Sequence, residues 1–298
     1  MKRWAAAAAA TLMLAACDKD GLYPGGSLQE GPIECLVLNE GLINTNEGCL
    51  SVVYRDSTVV VDAFQDVNHR PMGDVAQSVT LINGKYFVAM NNSKKVEVMD
   101  PTTFQSLGTI LYAQAGYPRQ IVPISDTEAV VSDLRNQLVR IRTVEPYGEP
   151  LEYISIPAWI EYLIAAENKV FGMTSRGVMV FDADNVNADE SRLIRDVYNE
   201  EYTKTCRMLK DKNGQIWALM HRKQGGQTTG VVLSRIDPAR ERVAETHTLT
   251  FLDAETAAVG EPVAHVNYNR TDIDPTGTYI YFNLMTKTAE PDEDGACE

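Results

Sequence analysis

Apolar and polar positions alternate along this chain in short bursts punctuated by turn residues, and the bursts are grouped. The clearest group runs from Asp74 to Ile110. Gln77 to Ile82 reads as a strand, Asn83-Gly84 tolerates the positive φ values of a tight hairpin turn, and Tyr86 to Met90 is the returning strand. The polar loop Asn91-Asn92-Ser93-Lys94-Lys95 leads into a third strand, Val96 to Met99. Asp100-Pro101-Thr102-Thr103 makes a second turn, and Phe104 to Ile110 completes the group. These four predicted strands are named A to D.

The turns show that the group is a repeat. The A/B turn recurs at Asn83-Gly84, Ser125-Asp126, Glu167-Asn168, Asn213-Gly214 and Pro275-Thr276-Gly277. The C/D turn recurs in step at Arg55-Asp56-Ser57, Asp100-Pro101, Glu145-Pro146-Tyr147-Gly148, Asp182-Ala183-Asp184 and Asp237-Pro238. The A/B turns are spaced by roughly 42 to 46 residues before one longer interval, and that period is that of propeller blades. A β-sandwich of similar strands would show turn signals every ~8 to 12 residues with no longer period. The fold class predicted is therefore all-β, a β-propeller of four-stranded blades, with about five to six blades encoded.

Blade by blade, Cys35 to Asn39, Cys49 to Tyr54 and Thr58 to Phe64 read as strands B, C and D of a first blade that lacks strand A. The missing strand would have to come from elsewhere, since open sheet edges invite association. A third blade is expected from Arg119 to about Pro150 and a fourth from Trp159 to about Val197. The fifth runs from Cys206 to Leu252, with a long loop from His221 to Gly230. A sixth begins at His265, has its strand B at Tyr279 to Leu284, and then stops. If Asn39 faces Cys49 across the first hairpin, Cys35 lies about four residues, roughly 13 Å, further along. That is beyond disulfide reach, and the cysteines downstream of Cys17 read as unpaired.

Composition narrows the partners. The chain has 41 acidic and 27 basic side chains, a net charge of -14. Such a surface repels nucleic acid, whose capture needs clustered Lys and Arg. At the N-terminus, Lys2 and Arg3 precede the apolar run Ala5 to Leu14, too short to be a stop-transfer helix, and then Leu14-Ala15-Ala16-Cys17. This last run resembles the bacterial lipobox, which would make residues 1–16 a signal peptide and Cys17 the lipidated residue. The competing reading is an ordinary secretory leader cut near Ala16. Asp18-Lys19-Asp20 resembles the surface-export signal of Bacteroidetes lipoproteins. A calcium loop starting there would lack its further oxygen ligands. Residues 17–32 are expected to be a flexible tether, 33–288 the propeller, and 289–298 an acidic, disordered tail.

No catalytic motif is found, and the four histidines are not at metal-ligand spacings. No catalytic residue, metal or resident cofactor is predicted. In a propeller the B/C loops and the links from one blade's D to the next blade's A converge on one face. The candidate ligand-binding residues there are Asn39, Glu40, Asn91, Asn92, Asp133, Arg135, Arg176 and His221 from the B/C loops. The links add Gln77, Ser78, Tyr117, Arg119 and Trp159. Amides, guanidiniums and rings together suit a polar ligand with flat apolar portions. Taken singly, each has a plainer explanation as a turn former or a solvated charge.

Five runs together resemble one known group: Leu38-Asn39-Glu40-Gly41, Pro71 to Ser78, Asn91-Asn92-Ser93, Tyr117-Pro118-Arg119, and the turn from Asp272 to Tyr281. They are similar to the YncE-like β-propeller surface lipoproteins of Bacteroidetes, including the BtuG-type branch. The resemblance implies a seven-bladed type of propeller, lipid-anchored on the outer membrane and exposed at the cell surface. It also implies cobalamin or a related corrinoid as ligand, delivered to a TonB-dependent transporter. The propeller is expected to be monomeric. Two other functions fit the same face. One is a lactonase-like hydrolase with calcium held by residues such as Asn39, Glu40, Asn92 and Asp133; the other is an adhesin or glycan binder. Seven blades at roughly 43 residues need about 300 residues after the tether. This chain is therefore expected to be a truncated or frameshifted form of a longer propeller, with an incomplete loop-face site.

Overall fold

A computed structural model describes residues 28, 31–113, 116–199, 205–224, 227–250, 265–266, 271–281 and 284–285. Five antiparallel sheets follow one another along the chain as the blades of a β-propeller, each built from consecutive strands. Blade I holds β1 (Ile33–Asn39), β2 (Cys49–Tyr54) and β3 (Val59–Val60). Blade II holds β4 (Ala76–Ile82), β5 (Lys85–Met90), β6 (Lys95–Met99) and β7 (Ser106–Leu111). Blade III holds β8 (Pro118–Pro123), β9 (Glu128–Asp133), β10 (Gln137–Arg142) and β11 (Glu152–Ser155). Blade IV holds β12 (Leu163–Ala166), β13 (Lys169–Thr174), β14 (Gly177–Asp182) and β15 (Arg192–Ile194). Blade V holds β16 (Thr205–Lys210), β17 (Ile216–Gln224), β18 (Gln227–Asp237) and β19 (Arg242–Thr250). Beyond it, β20 (His265–Val266) pairs with β23 (Leu284–Met285), and β21 (Asp272–Ile273) with β22 (Ile280–Tyr281).

The core lies between sheets, and this explains why the central strands read as unbroken apolar runs. Successive side chains of a strand point to opposite faces, so a sheet buried on both sides needs apolar residues at every position. Along β5, Val88 and Met90 pack with Leu50, Val52 and Tyr54 of blade I, whereas Phe87 and Ala89 pack with Ile121, Val131 and Val139 of blade III. Blade IV repeats the division: Val170 and Phe181 face blade III, Phe171 and Val180 face blade V.

The turns close through side-chain oxygens as well as through glycine. Asp100 Oδ1 accepts from the backbone N–H groups of Thr102 and Thr103 at 2.8 and 2.7 Å. Asp237 Oδ1 does the same for Ala239 and Arg240 in blade V. At Asn83-Gly84 both residues have positive φ, 49° and 69°, the backbone of a tight hairpin. Asn83 Nδ2 also reaches Asp126 O of the next blade's turn at 2.6 Å.

Three expectations need correction. Strand D of blade I was expected from Thr58 to Phe64, but β3 has only Val59 and Val60. The chain leaves the sheet because Asp62 caps a short helix, α1 (Ala63–Asn68), accepting from Gln65 N. That helix carries Ala63 and Phe64 into the core. In blade II, Phe104 is not the first residue of strand D. It sits at φ 57°, fully buried beside Tyr86, and β7 starts two residues later. Finally, the loop expected over His221 to Gly230 is mostly strand: β17 and β18 pair through His221↔Val231 and on to Gln224↔Gln227. The first hairpin has the expected register, Asn39 opposite Cys49 and Cys35 opposite Val53. Cys17, Cys297 and the segments 1–27 and 286–298 lie outside the described residues. Among the described residues no helix is long and apolar enough to cross a membrane.

Candidate functional site

The B/C loops and the blade links meet on one face and are tied to each other by backbone hydrogen bonds. Asn91 N–H donates to Val75 O at 2.7 Å, and its side-chain Nδ2 donates to Pro118 O at 3.2 Å. One B/C loop thereby holds the links on both sides of its blade. Ala76 N donates to Glu40 O, Tyr112 N to Lys94 O and Leu134 N to Tyr117 O at 3.1, 3.0 and 3.2 Å. Loops braced in this way present their side chains from fixed positions.

Between blades I and II the face is acidic and amide-rich. Asp74 is buried, and its Oδ2 accepts from Asn44 N at 2.8 Å and from Asn92 Nδ2 at 2.5 Å. Asn92 Nδ2 also reaches Asn44 Oδ1, and Asp74 N donates to Ser93 Oγ. Gln77 Nε2 donates to Glu40 Oε1 at 2.5 Å, while Asn39 Nδ2 turns back onto Ser51 Oγ at 3.2 Å. The braced loop lifts Leu42 and Ile43 into solvent, 70% and 66% exposed.

From blade II to blade V the face changes to rings and cations. Asp133, fully buried at the end of β9, accepts from Tyr117 N at 2.6 Å and Arg135 N at 2.8 Å. Its burial pushes the carboxyl above its ordinary range, against the opposing pull of the Arg135 and Tyr117 N–H groups. Those bonds place the Tyr117 ring between two cations: Lys94 Nζ lies 5.9 Å and Arg135 Cζ 5.5 Å from its centroid. Arg119 donates to Glu161 Oε1 at 2.5 Å, and its Cζ lies 5.9 Å from the Trp159 ring. Arg207 stands 5.1 Å from the Tyr162 ring. Burial raises the Tyr162 hydroxyl's pKa, although the Arg207 charge draws it down.

Most of the predicted residues are on this face, in two neighbourhoods. Asn39, Glu40, Gln77 and Asn92 belong to the amide-rich side; Tyr117, Arg119, Asp133, Arg135 and Trp159 belong to the ring-and-cation side. Gln77, Ser78 and Arg119 stand at the start of the innermost strands β4 and β8, inside the sheets rather than in the links. Ser78 and Asn91 hold blade II to blade III, Ser78 Oγ through Arg119 O at 2.5 Å. Arg176 is exposed in the next B/C loop, its N–H bonded to Thr174 Oγ1 at 3.1 Å. His221 is a strand residue paired with Val231, not a loop residue. Asn39, Glu40, Asn92 and Asp133, the calcium candidates, are held in separate hydrogen-bond networks. Among the described residues no group of three or more His, Cys, Asp or Glu is gathered as a metal would need. Asn44 and Lys94 belong to the face and are absent from the predicted set. Aligning the blades would have found Lys94, since it precedes strand C as Arg135 and Arg176 do.

A family model described as "Domain of unknown function (DUF5074)" matches residues 34–260. No curated protein matches the chain. Among solved structures, Kuenenia stuttgartiensis hydrazine synthase is similar with a TM-score of 0.56 at 15% identity, covering 79% of this chain and 67% of that one. The WD40 β-propeller domain of Doa1 is similar with a TM-score of 0.52 at 10% identity, covering 80% and 68%. At these identities the likeness is one of fold.

Proposed function

Because the chain belongs to the DUF5074 family, whose function is unknown, its role has to be argued from its own loop face, and we propose that it is a ligand-binding propeller. The observation that carries this is the Tyr117 ring. It is held at its own backbone by buried Asp133, flanked by Lys94 and Arg135, and neighboured by the Arg119–Trp159 pair. Trp159 is 43% exposed, so apolar ring surface is kept in contact with water by a braced scaffold. Rings buried by a partner contribute area, and the adjacent cations and amides orient its acceptors.

The ligand we infer is cobalamin or a related corrinoid, a large molecule with a flat apolar macrocycle and peripheral amides. The resemblance of the Asn91-Asn92-Ser93 and Tyr117-Pro118-Arg119 loops to the YncE-like surface lipoproteins, a group with a cobalamin-capturing BtuG-type branch, supports it. The run Leu14-Ala15-Ala16-Cys17 supports a lipid anchor at Cys17 and display on the outer membrane, with delivery to a TonB-dependent transporter. The role is capture rather than catalysis.

Calorimetric titration with cyanocobalamin tests the reading. Binding at micromolar concentration or below is expected, and Tyr117→Ala and Trp159→Ala should each weaken it about tenfold, or about 1.4 kcal/mol. No binding at micromolar concentration overturns the corrinoid reading.

A further inference from the structure

The loop face of this acidic protein carries a run of exposed cations, of which Arg135 alone feels a nearby carboxylate, that of Asp133, and that without an ion pair. Lys94, Arg135 and Arg176 come from the B/C loops of three successive blades, each within two residues of the start of strand C, and all three are exposed. Among the described residues none of them makes an ion pair. Elsewhere pairing is common: Arg70 and Lys95 with Glu97, Arg119 with Glu161, Lys169 and Arg192 with Glu241. Of the carboxylates nearest Tyr117, Arg119 and their neighbouring rings and cations, two are already engaged. Asp133 accepts two backbone N–H groups, and Glu161 is held by Arg119.

Two of these cations share one ring. Lys94 and Arg135 approach Tyr117 at 5.9 and 5.5 Å, like charges gathered around a single aromatic ring. The backbone that carries them is fixed. Lys94 N donates to Asn91 O and Lys94 O accepts from Tyr112 N; Tyr117 is pinned by Asp133 at its N–H and by Leu134 N at its carbonyl. Guanidinium and ammonium groups without internal partners are donors waiting for an oxyanion, and a ring between them offers an apolar surface beside it.

We propose that Lys94, Arg135 and the Tyr117 ring between them form a subsite for an oxyanion, a carboxylate or phosphate carried beside a flat apolar group, with Arg176 adding to the field from the next blade. The inference rests on the loop face being the binding face. It adds that the ligand must bear negative charge where blades II and III meet.

The experiment uses the full chain and three probes: phenyl phosphate, benzoate and neutral benzyl alcohol. By calorimetry at low salt both anions should bind, and benzyl alcohol at least about tenfold more weakly. High salt should remove most of that preference, because the cations are exposed. Lys94→Gln and Arg135→Gln should each weaken the anions about tenfold with an unchanged Tm and circular dichroism spectrum. A stronger phenyl phosphate response identifies a phosphate-bearing ligand, and a stronger benzoate response a carboxylate; both support the subsite. Equal binding of benzyl alcohol, unchanged affinity in both variants, or no heat from either anion at millimolar concentration overturns it. Anion binding without cyanocobalamin binding leaves the subsite standing and removes the corrinoid reading. Cyanocobalamin binding without anion binding does the reverse.

Discussion

Glu97 is the side chain on which charge and packing meet most sharply. It stands on β6, fully buried, with Arg70 Nη2 and Lys95 Nζ each at 2.7 Å and Ser106 Oγ at 2.6 Å. Burial pushes its carboxyl upward, but the hydrogen bonds from Arg70, Lys95 and Ser106 and the Lys95 charge outweigh that, leaving its pKa below the ordinary glutamate value. A depressed folded-state pKa means the charged form is favoured by folding. Its contribution is complete above the unfolded-state value and is lost as pH falls through the folded one. Glu97→Gln should cost about 3–5 kcal/mol at neutral pH, since both cations lose their partner in a partly dry site. Urea unfolding of both proteins at neutral and acidic pH checks this: the difference between them should shrink as pH drops below the ordinary glutamate range.

At the scale of single elements, the turns separate what a hairpin requires from what its neighbours require. Gly84 has φ 69° and open space where a Cβ would be, so Gly84→Ala should cost only the left-handed backbone penalty, about 1 kcal/mol. Gly177, at the start of β14, has φ 137°, and a Cβ there would lie 2.2 Å from Ile194 O of the adjacent strand. Gly177→Ala adds a collision with backbone to the strained dihedral and should cost about 2–5 kcal/mol. Glu167 points the other way. It holds φ 50° in the β12–β13 turn without the side chain for it, and Glu167→Asn should stabilise by about 0.4–1 kcal/mol. Thermal unfolding should place Glu167→Asn above the parent, Gly84→Ala below it and Gly177→Ala lowest.

Across the whole molecule, blades II, III and IV each share one core with the blade before and another with the blade after. Phe171 and Phe181 make the point because they are the same residue type in the same sheet, both fully buried, on opposite faces. Either Phe→Ala change should cost about 3–5 kcal/mol. Hydrogen exchange will tell them apart. Phe181→Ala should loosen blades III and IV, where Phe181 packs with Val130 and Leu138, and Phe171→Ala should loosen blades IV and V, where Phe171 packs with Ala218 and Met220. Exchange spreading equally through all five blades in both variants would show that the interfaces do not act as separate units.

Local chemistry by itself determined the strands and their grouping. Asn83-Gly84 must turn, Asp100-Pro101 must turn, and the alternation between them has the period of a strand, so blade II was legible almost to the residue. The hairpin register of Asn39 against Cys49 followed from loop length for the same reason. Where a long-range contact competed with local preference, the sequence misled. Strand D of blade I dissolves into α1 because Asp62 caps a turn whose Ala63 and Phe64 fill a core shared with blade II. Phe104 leaves its strand because its ring belongs in that same core. The loop face divides along the same line. Loop residue types announced a polar, aromatic surface, but only the tertiary structure decided that Asn91 and Ser78 are spent holding two blades together while Lys94 and Arg135 both come to the Tyr117 ring. Their meeting depends on how three loops from two blades are packed side by side, a distance that no spacing along the chain encodes.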